Sequence, residues 1–233
     1  MDNRHESTYR IMSAALTLFR KNGYALTGIR QIADTSGVSL GLVNHYFGSK
    51  RILARDALCL LENFLGTLIH PYVDLDTQPL LFDLLATRFQ IDFFLNGPYH
   101  QFYLDTLREG IYFDSVMQYP NQTQQALRKA YHFPDNEDYI LLFNRYVPCD
   151  IEKTLVLQKE AGQFQNISYD DIPRLVCTAA LQRFIPMGEI EKADRDSLPI
   201  LNEILKQSPF TPFNPSEDYI RSYLSCTDIH EEH

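Results

Sequence analysis

Between Thr27 and Phe47 the chain has room for only two helices of about two turns each, because Ser36-Gly37 interrupts the apolar spacing and Ser39 restarts it. The first is expected to start at Thr27 as N-cap and to run through Ile29, Ile32 and Ala33. The second runs from Ser39 through Val43 and His45 to the break at Gly48-Ser49. Helices this short bury little by themselves and have to close over a third. The preceding residues supply it: Ile11, Ala15, Leu18 and Phe19 repeat at helical spacing over residues 4–22, and Asn22-Gly23 ends the run. Ile11, Leu18, Phe19, Ile32, Ala33, Val38, Val43 and Phe47 then form the core of a three-helix head, with Tyr24 packed on it. In the Thr35-Ser36-Gly37-Val38 connection, glycine permits the left-handed backbone of a sharp corner, so the pair reads as a helix-turn-helix.

Helical spacing continues along the rest of the chain while period-two alternation is scarce, which predicts an all-α protein. A long apolar run covers 50–69. Breaks at Pro79, Gly97-Pro98, Pro120, Pro134, Pro148, Gly162, Pro186 to Gly188 and Ser208 to Pro215 then delimit helices at about 79–95, 98–118, 121–131, 135–146, 149–161, 170–185, 196–207 and 216–225. The expected organisation is a helix-turn-helix domain over residues 1–50 and a larger helical domain over 51–233, linked by the 50–69 helix. Even the most apolar stretch, Leu80 to Leu95, holds Asp83, Arg88 and Asp92, so no membrane span is expected. The start Met1-Asp2-Asn3-Arg4 has no apolar leader, and the cysteines at 59, 149, 177 and 226 have no metal-ligand spacing. A soluble cytoplasmic chain with reduced thiols is expected.

Charge divides the chain in the same place. Eight Lys and Arg against three acids give residues 1–55 a balance of +5; the whole carries −9, so the remainder carries −14. An acidic chain of pI about 5.2 would be a poor partner for nucleic acid if that charge were spread evenly. A basic helix-turn-helix on an acidic body is instead the electrostatic footprint of a DNA binder.

Read together, Ala14-Ala15-Leu16, Leu18-Phe19, Gly23-Tyr24, Thr27, Ile32-Ala33, Ser36-Gly37-Val38-Ser39, Gly41, Val43, Tyr46-Phe47, Ser49-Lys50 and Leu53 closely resemble the DNA-binding domain of TetR-family transcriptional regulators. The match spans about a fifth of the chain. By this resemblance Leu40, Gly41, Asn44 and His45 are base contacts, and Thr27, Ser39, Tyr46 and Lys50 are phosphate contacts. The residue chemistry fits: glycine admits close approach to DNA, Asn44 can pair with an adenine edge, and hydroxyls and an ammonium group at helix ends suit phosphates. Leu42 and Asn44 depart from the commoner Thr and Tyr of the family, which leaves open the base that each position reads.

The resemblance also implies a body that binds a small-molecule effector and forms a homodimer. Arg88, Phe89 and Phe93, with His100, Phe102, Tyr103 and Tyr112, lie on the aromatic segments that would line a pocket. Leu175, Val176, Ala179 and Arg183 on one late helix, and Leu198, Leu201 and Leu205 on the next, are the dimer-interface candidates, although the 170–185 helix also reads as the central core helix of the body. No Glu-x-x-His, phosphate-binding glycine loop, nucleophile elbow or His-Glu-x-x-His occurs, so neither an enzyme nor a cofactor is expected. The expected function is a dimeric repressor released from an inverted-repeat operator by an effector. The alternative is an effector-free architectural or division-control protein on the same fold.

Overall fold

The computed structural model describes residues 3–118, 122–207 and 215–226, and among them every regular element is a helix. The order is α1 (Asn3–Asn22), α2 (Ile29–Ser36), α3 (Leu40–Phe47), α4 (Lys50–Ile69), α5 (Pro79–Asn96), α6 (His100–Glu109), α7 (Ile111–Gln118), α8 (Gln122–Tyr131), α9 (Glu137–Leu141), a π-helical turn (Leu142–Tyr146), α10 (Val147–Glu160), a 3-10 turn (Tyr169–Asp171), α11 (Ile172–Leu181), α12 (Met187–Gln207) and α13 (Glu217–Cys226). The break expected at Pro120, and that over Ser208–Pro215 except for Pro215, lie outside the described residues. No helix of the described residues is long and apolar enough to cross a membrane.

Several expected boundaries move, each for a physical reason. Gly28, not Thr27, is the N-cap of α2: the Thr27 hydroxyl turns inward and donates to the Gly23 carbonyl at 2.7 Å, so it is lost to the helix end. The expected 98–118 helix is two, divided at Gly110, whose φ of 72° ends α6. The expected 135–146 helix widens after Leu141 into the π turn, which runs straight into α10. Pro148 does not separate them: it stands at the second position of α10, directly behind the π turn. The helix expected over 170–185 occupies only Ile172–Leu181. Conversely α12 starts at Met187 instead of near 196, because Ile190, Ala193, Ser197, Leu201 and Ile204 make one continuous buried stripe, with Pro199 inside the helix.

The described chain forms two compact units. One comprises residues up to 64, together with 98–115 and α13; the other comprises 65–97 and the described residues between 116 and 207. The first has Ile11, Met12, Phe19, Ile32, Val43, Phe47 and Leu53 at its centre, and Phe19 stacks on Phe102 of α6 with ring centroids 4.7 Å apart. In the second, Leu80 and Leu84 of α5, Leu127 of α8, Cys177, Ala180 and Leu181 of α11 and Ile190 and Ala193 of α12 share a core. Phe133 stacks on Phe184 beside it at 4.4 Å. Arg88 is fully engaged within this second unit: it pairs with Asp194 and donates to Ser197 Oγ and the Asp170 carbonyl, each of these two at 3.1 Å.

Candidate nucleic-acid interface

The corner between α2 and α3 is set by Gly37, at φ 63°, with its N–H and that of Val38 returned to the carbonyls of Asp34 and Ala33. A side chain there would also have to displace the Arg10 guanidinium, a lesser constraint than the backbone angle. Ser39 then caps α3, its Oγ accepting the Leu42 N–H at 3.3 Å, and Gly48 ends the helix at φ 65°.

Phase on α3 follows from its two buried residues. Val43 and Phe47 face the core, which turns Gly41, Leu42, Asn44 and His45 outward. Leu40 and Tyr46 lie half-buried at the flanks, with the Tyr46 ring 5.2 Å from that of His45. Nothing comes within 4 Å of the place a Gly41 Cβ would occupy. Glycine inside a helix costs roughly 1 kcal/mol relative to alanine, and no contact within the described chain requires it here.

The four expected phosphate contacts separate into two environments. Ser39 is exposed and Tyr46 half-exposed, both beside the open face of α3. Thr27 is buried, its hydroxyl committed to the Gly23 carbonyl. Lys50, half-buried at the start of α4, donates to the Tyr24 carbonyl at 3.0 Å and stands over the Tyr24 ring. Burial lowers the ammonium's pKa, while the carboxylates of Asp105 and Glu109 oppose that shift. Sequence spacing missed the residue that organises this corner: Asp105 of α6 accepts the Ala25 N–H at 2.8 Å. It also missed Leu26, 79% exposed directly ahead of α2. Its only sequence signal is an apolar residue in a turn.

The expected pocket residues divide between the two units. Arg88, Phe89 and Phe93 belong to the second unit, whereas His100, Phe102, Tyr103 and Tyr112 belong to the first, where Tyr103 meets Tyr112 edge-on at 5.7 Å. The expected interface residues all lie in the second unit. Val176 and Leu201 are buried within the chain, Leu175, Ala179 and Leu205 are half-buried, and Arg183 and Leu198 are exposed. The Arg183 guanidinium lies 5.1 Å from the Tyr139 ring centre.

Residues 11–57 match the family model described as bacterial regulatory proteins, tetR family. Over 63 residues, 27% of this chain and 26% of the relative, the sequence is 46% identical to the HTH-type transcriptional regulator HbdR of Aromatoleum sp. strain CIB. Over 81 residues, 34% of this chain and 42% of the relative, it is 32% identical to the uncharacterized HTH-type transcriptional regulator YxaF of Bacillus subtilis strain 168. The chain thus spans well under half the length of either curated relative. The family match covers α2, α3, the start of α4 and most of α1, the elements that shape the open face described above. The N-terminal domain of this chain is thus of the kind found in the tetR family of bacterial regulatory proteins.

Proposed function

We propose that the chain is a DNA-binding transcriptional regulator that lays α3 in the major groove of an inverted-repeat operator as a homodimer, and that it is a repressor released by a small-molecule effector. The observation that carries the reading is the outward face of α3, where an otherwise unexplained Gly41 stands among exposed Leu42, Asn44 and His45. A groove-bound helix needs a small residue where backbone meets DNA and polar groups on either side of it. Leu40, Gly41, Asn44 and His45 serve as the reading set in this proposal. Ser39, Tyr46 and Lys50 hold phosphates, and Thr27 serves the same edge by fixing the turn ahead of α2. The net positive charge of residues 1–55 supplies the sequence-independent attraction.

Residues 51–233 dimerise and take up the effector in this reading, with Leu198 and the half-buried Leu175, Ala179 and Leu205 as the apolar surface left for a second copy. The test is selection of bound duplexes from random DNA, then footprinting. A two-fold symmetric site with half-sites about one helical turn apart or somewhat more supports the reading. Binding equally strong to every sequence overturns it. A screen for small molecules that release the selected duplex then separates a repressor of this kind from an effector-free architectural protein.

A further inference from the structure

Asp105 is buried in α6, and its two carboxylate oxygens are divided between two tasks. Oδ1 accepts from Gln101 Nε2 at 2.7 Å and from Arg108 Nη1 at 3.3 Å, which fixes the side chain on its own helix. Oδ2 accepts the Ala25 backbone N–H at 2.8 Å, 80 positions away in sequence. The turn after α1 is shaped for that approach. Gly23 has φ +73°, and a Cβ on it would stand 2.7 Å from Asp105 Oδ2 and 2.8 Å from Gln101 Cγ. A side chain at Gly23 would have to displace the Asp105 and Gln101 side chains from the turn. The residue between Gly23 and Ala25 is Tyr24, whose carbonyl takes the Lys50 ammonium at 3.0 Å. Two consecutive contacts therefore run from a buried carboxylate to the first residue of α4.

We propose that Asp105 is a positioning residue for DNA binding: by holding the Ala25 N–H it sets the 23–27 turn, and through the Tyr24 carbonyl it aims Lys50 at the DNA backbone. The proposal rests on the DNA-binding reading above. A hydrogen bond from a backbone N–H to a buried carboxylate is charge-assisted and about twice as strong as a neutral one. Removing the acceptor frees the Ala25 N–H, and the turn loses the bond that ties it to α6. Asp105 is buried and negative, so it works through the turn and not by touching phosphate.

The experiment titrates the selected duplex with wild type, Asp105→Ala, Asp105→Asn, Lys50→Ala and the Asp105→Ala/Lys50→Ala double variant over a range of salt, after melting curves have verified the fold. Lys50→Ala is expected to flatten the logarithmic salt dependence by about one unit. Asp105→Ala should weaken binding about tenfold and flatten the slope similarly, although it removes no positive charge. The double variant should be flatter than wild type by about one unit and not two, because both changes abolish the same contact. Asp105→Asn keeps an acceptor for Ala25 and should restore affinity to within about twofold of wild type. An Asp105→Ala protein that binds like wild type, or one whose loss is additive with Lys50→Ala at unchanged slope, overturns the proposal. Should Asp105→Ala not fold, Asp105→Glu takes its place, since its longer reach displaces the turn; wild-type affinity and slope in that variant overturn the proposal equally. If the wild-type protein selects no sequence, the DNA-binding reading itself falls, which is a separate result.

Discussion

The Lys50 ammonium stands 3.9 Å from the centre of the Tyr24 ring while donating to the carbonyl of the same residue. Ring and carbonyl thus hold one cation from two directions, across 26 positions of sequence. Replacing Tyr24 with leucine keeps the carbonyl and removes the ring. The head should lose about 1 kcal/mol of stability, the usual size of a partly exposed cation–π contact. Affinity for specific and random duplexes should fall by the same factor, because phosphate contacts carry no sequence information. Urea unfolding and paired titrations check both statements.

Gly41→Ala separates stability from recognition. The new methyl group meets nothing within the described chain, so helix propensity alone should raise stability by about 0.5–1 kcal/mol. The same methyl group lies where the DNA is proposed to approach, and affinity for the selected duplex should drop. A stabilised variant with undiminished affinity would place the DNA elsewhere.

Asn44 is exposed on α3 one turn before Gly48. Asn44→Ala should cost about 1–3 kcal/mol on the preferred duplex and relax the preference at a single base pair. Repeating the selection with the variant shows whether one position of the consensus, and only one, becomes degenerate.

How much of this was legible in the sequence depends on how far each determinant lies from what it determines. The helix-turn-helix was legible because Ser36-Gly37, Ser39 and Gly48 act on backbone within a few residues of themselves. The Thr27 cap failed even at short range, since the carbonyl of Gly23 competes for the hydroxyl that a cap would need. The early start of α12 was hidden by the charges of Glu189, Glu191, Lys192, Asp194 and Arg195 around only two buried residues, Ile190 and Ala193, and the place of Asp194 is explained by its pairing with Arg88 over a hundred positions earlier. Asp105 was legible merely as a polar residue on an aromatic segment. Its partner is a backbone N–H, which every residue but proline carries and which no motif can mark.

Asp83 makes stability depend on pH. Burial raises its carboxyl pKa to about 7, and the hydrogen bond from the Cys177 thiol opposes the rise. In the unfolded chain it titrates near 3.8. Between those values the folded state keeps a proton that the unfolded state has lost, so the stabilisation is complete below the lower value and declines as pH rises through about 7. Asp83→Asn should remove this dependence and gain about 2 kcal/mol at pH 8, less than the full shift implies because the side chain is only partly shielded from water. Denaturation midpoints of both proteins between pH 5 and 8 test it.

Leu198 is 40% exposed on α12. If the proposed homodimer uses that face, Leu198→Glu should leave the monomer folded and lower the sedimenting mass to that of one chain, because an unpaired carboxylate would be buried in each half of the interface. An unchanged dimer would assign the contact to another surface.

The unit that contains the helix-turn-helix draws on three separate stretches of chain, the last of them α13, where Arg221 pairs with Glu6 at 2.8 Å and lies over the Tyr9 ring at 3.8 Å. Those partners are 215 residues apart. A ribosome emits α1 to α3 first, yet their packing against α6 and α13 waits until those helices emerge. Such late closure implies slow maturation of the N-terminal unit during synthesis, in line with the general slowness of long-range contacts.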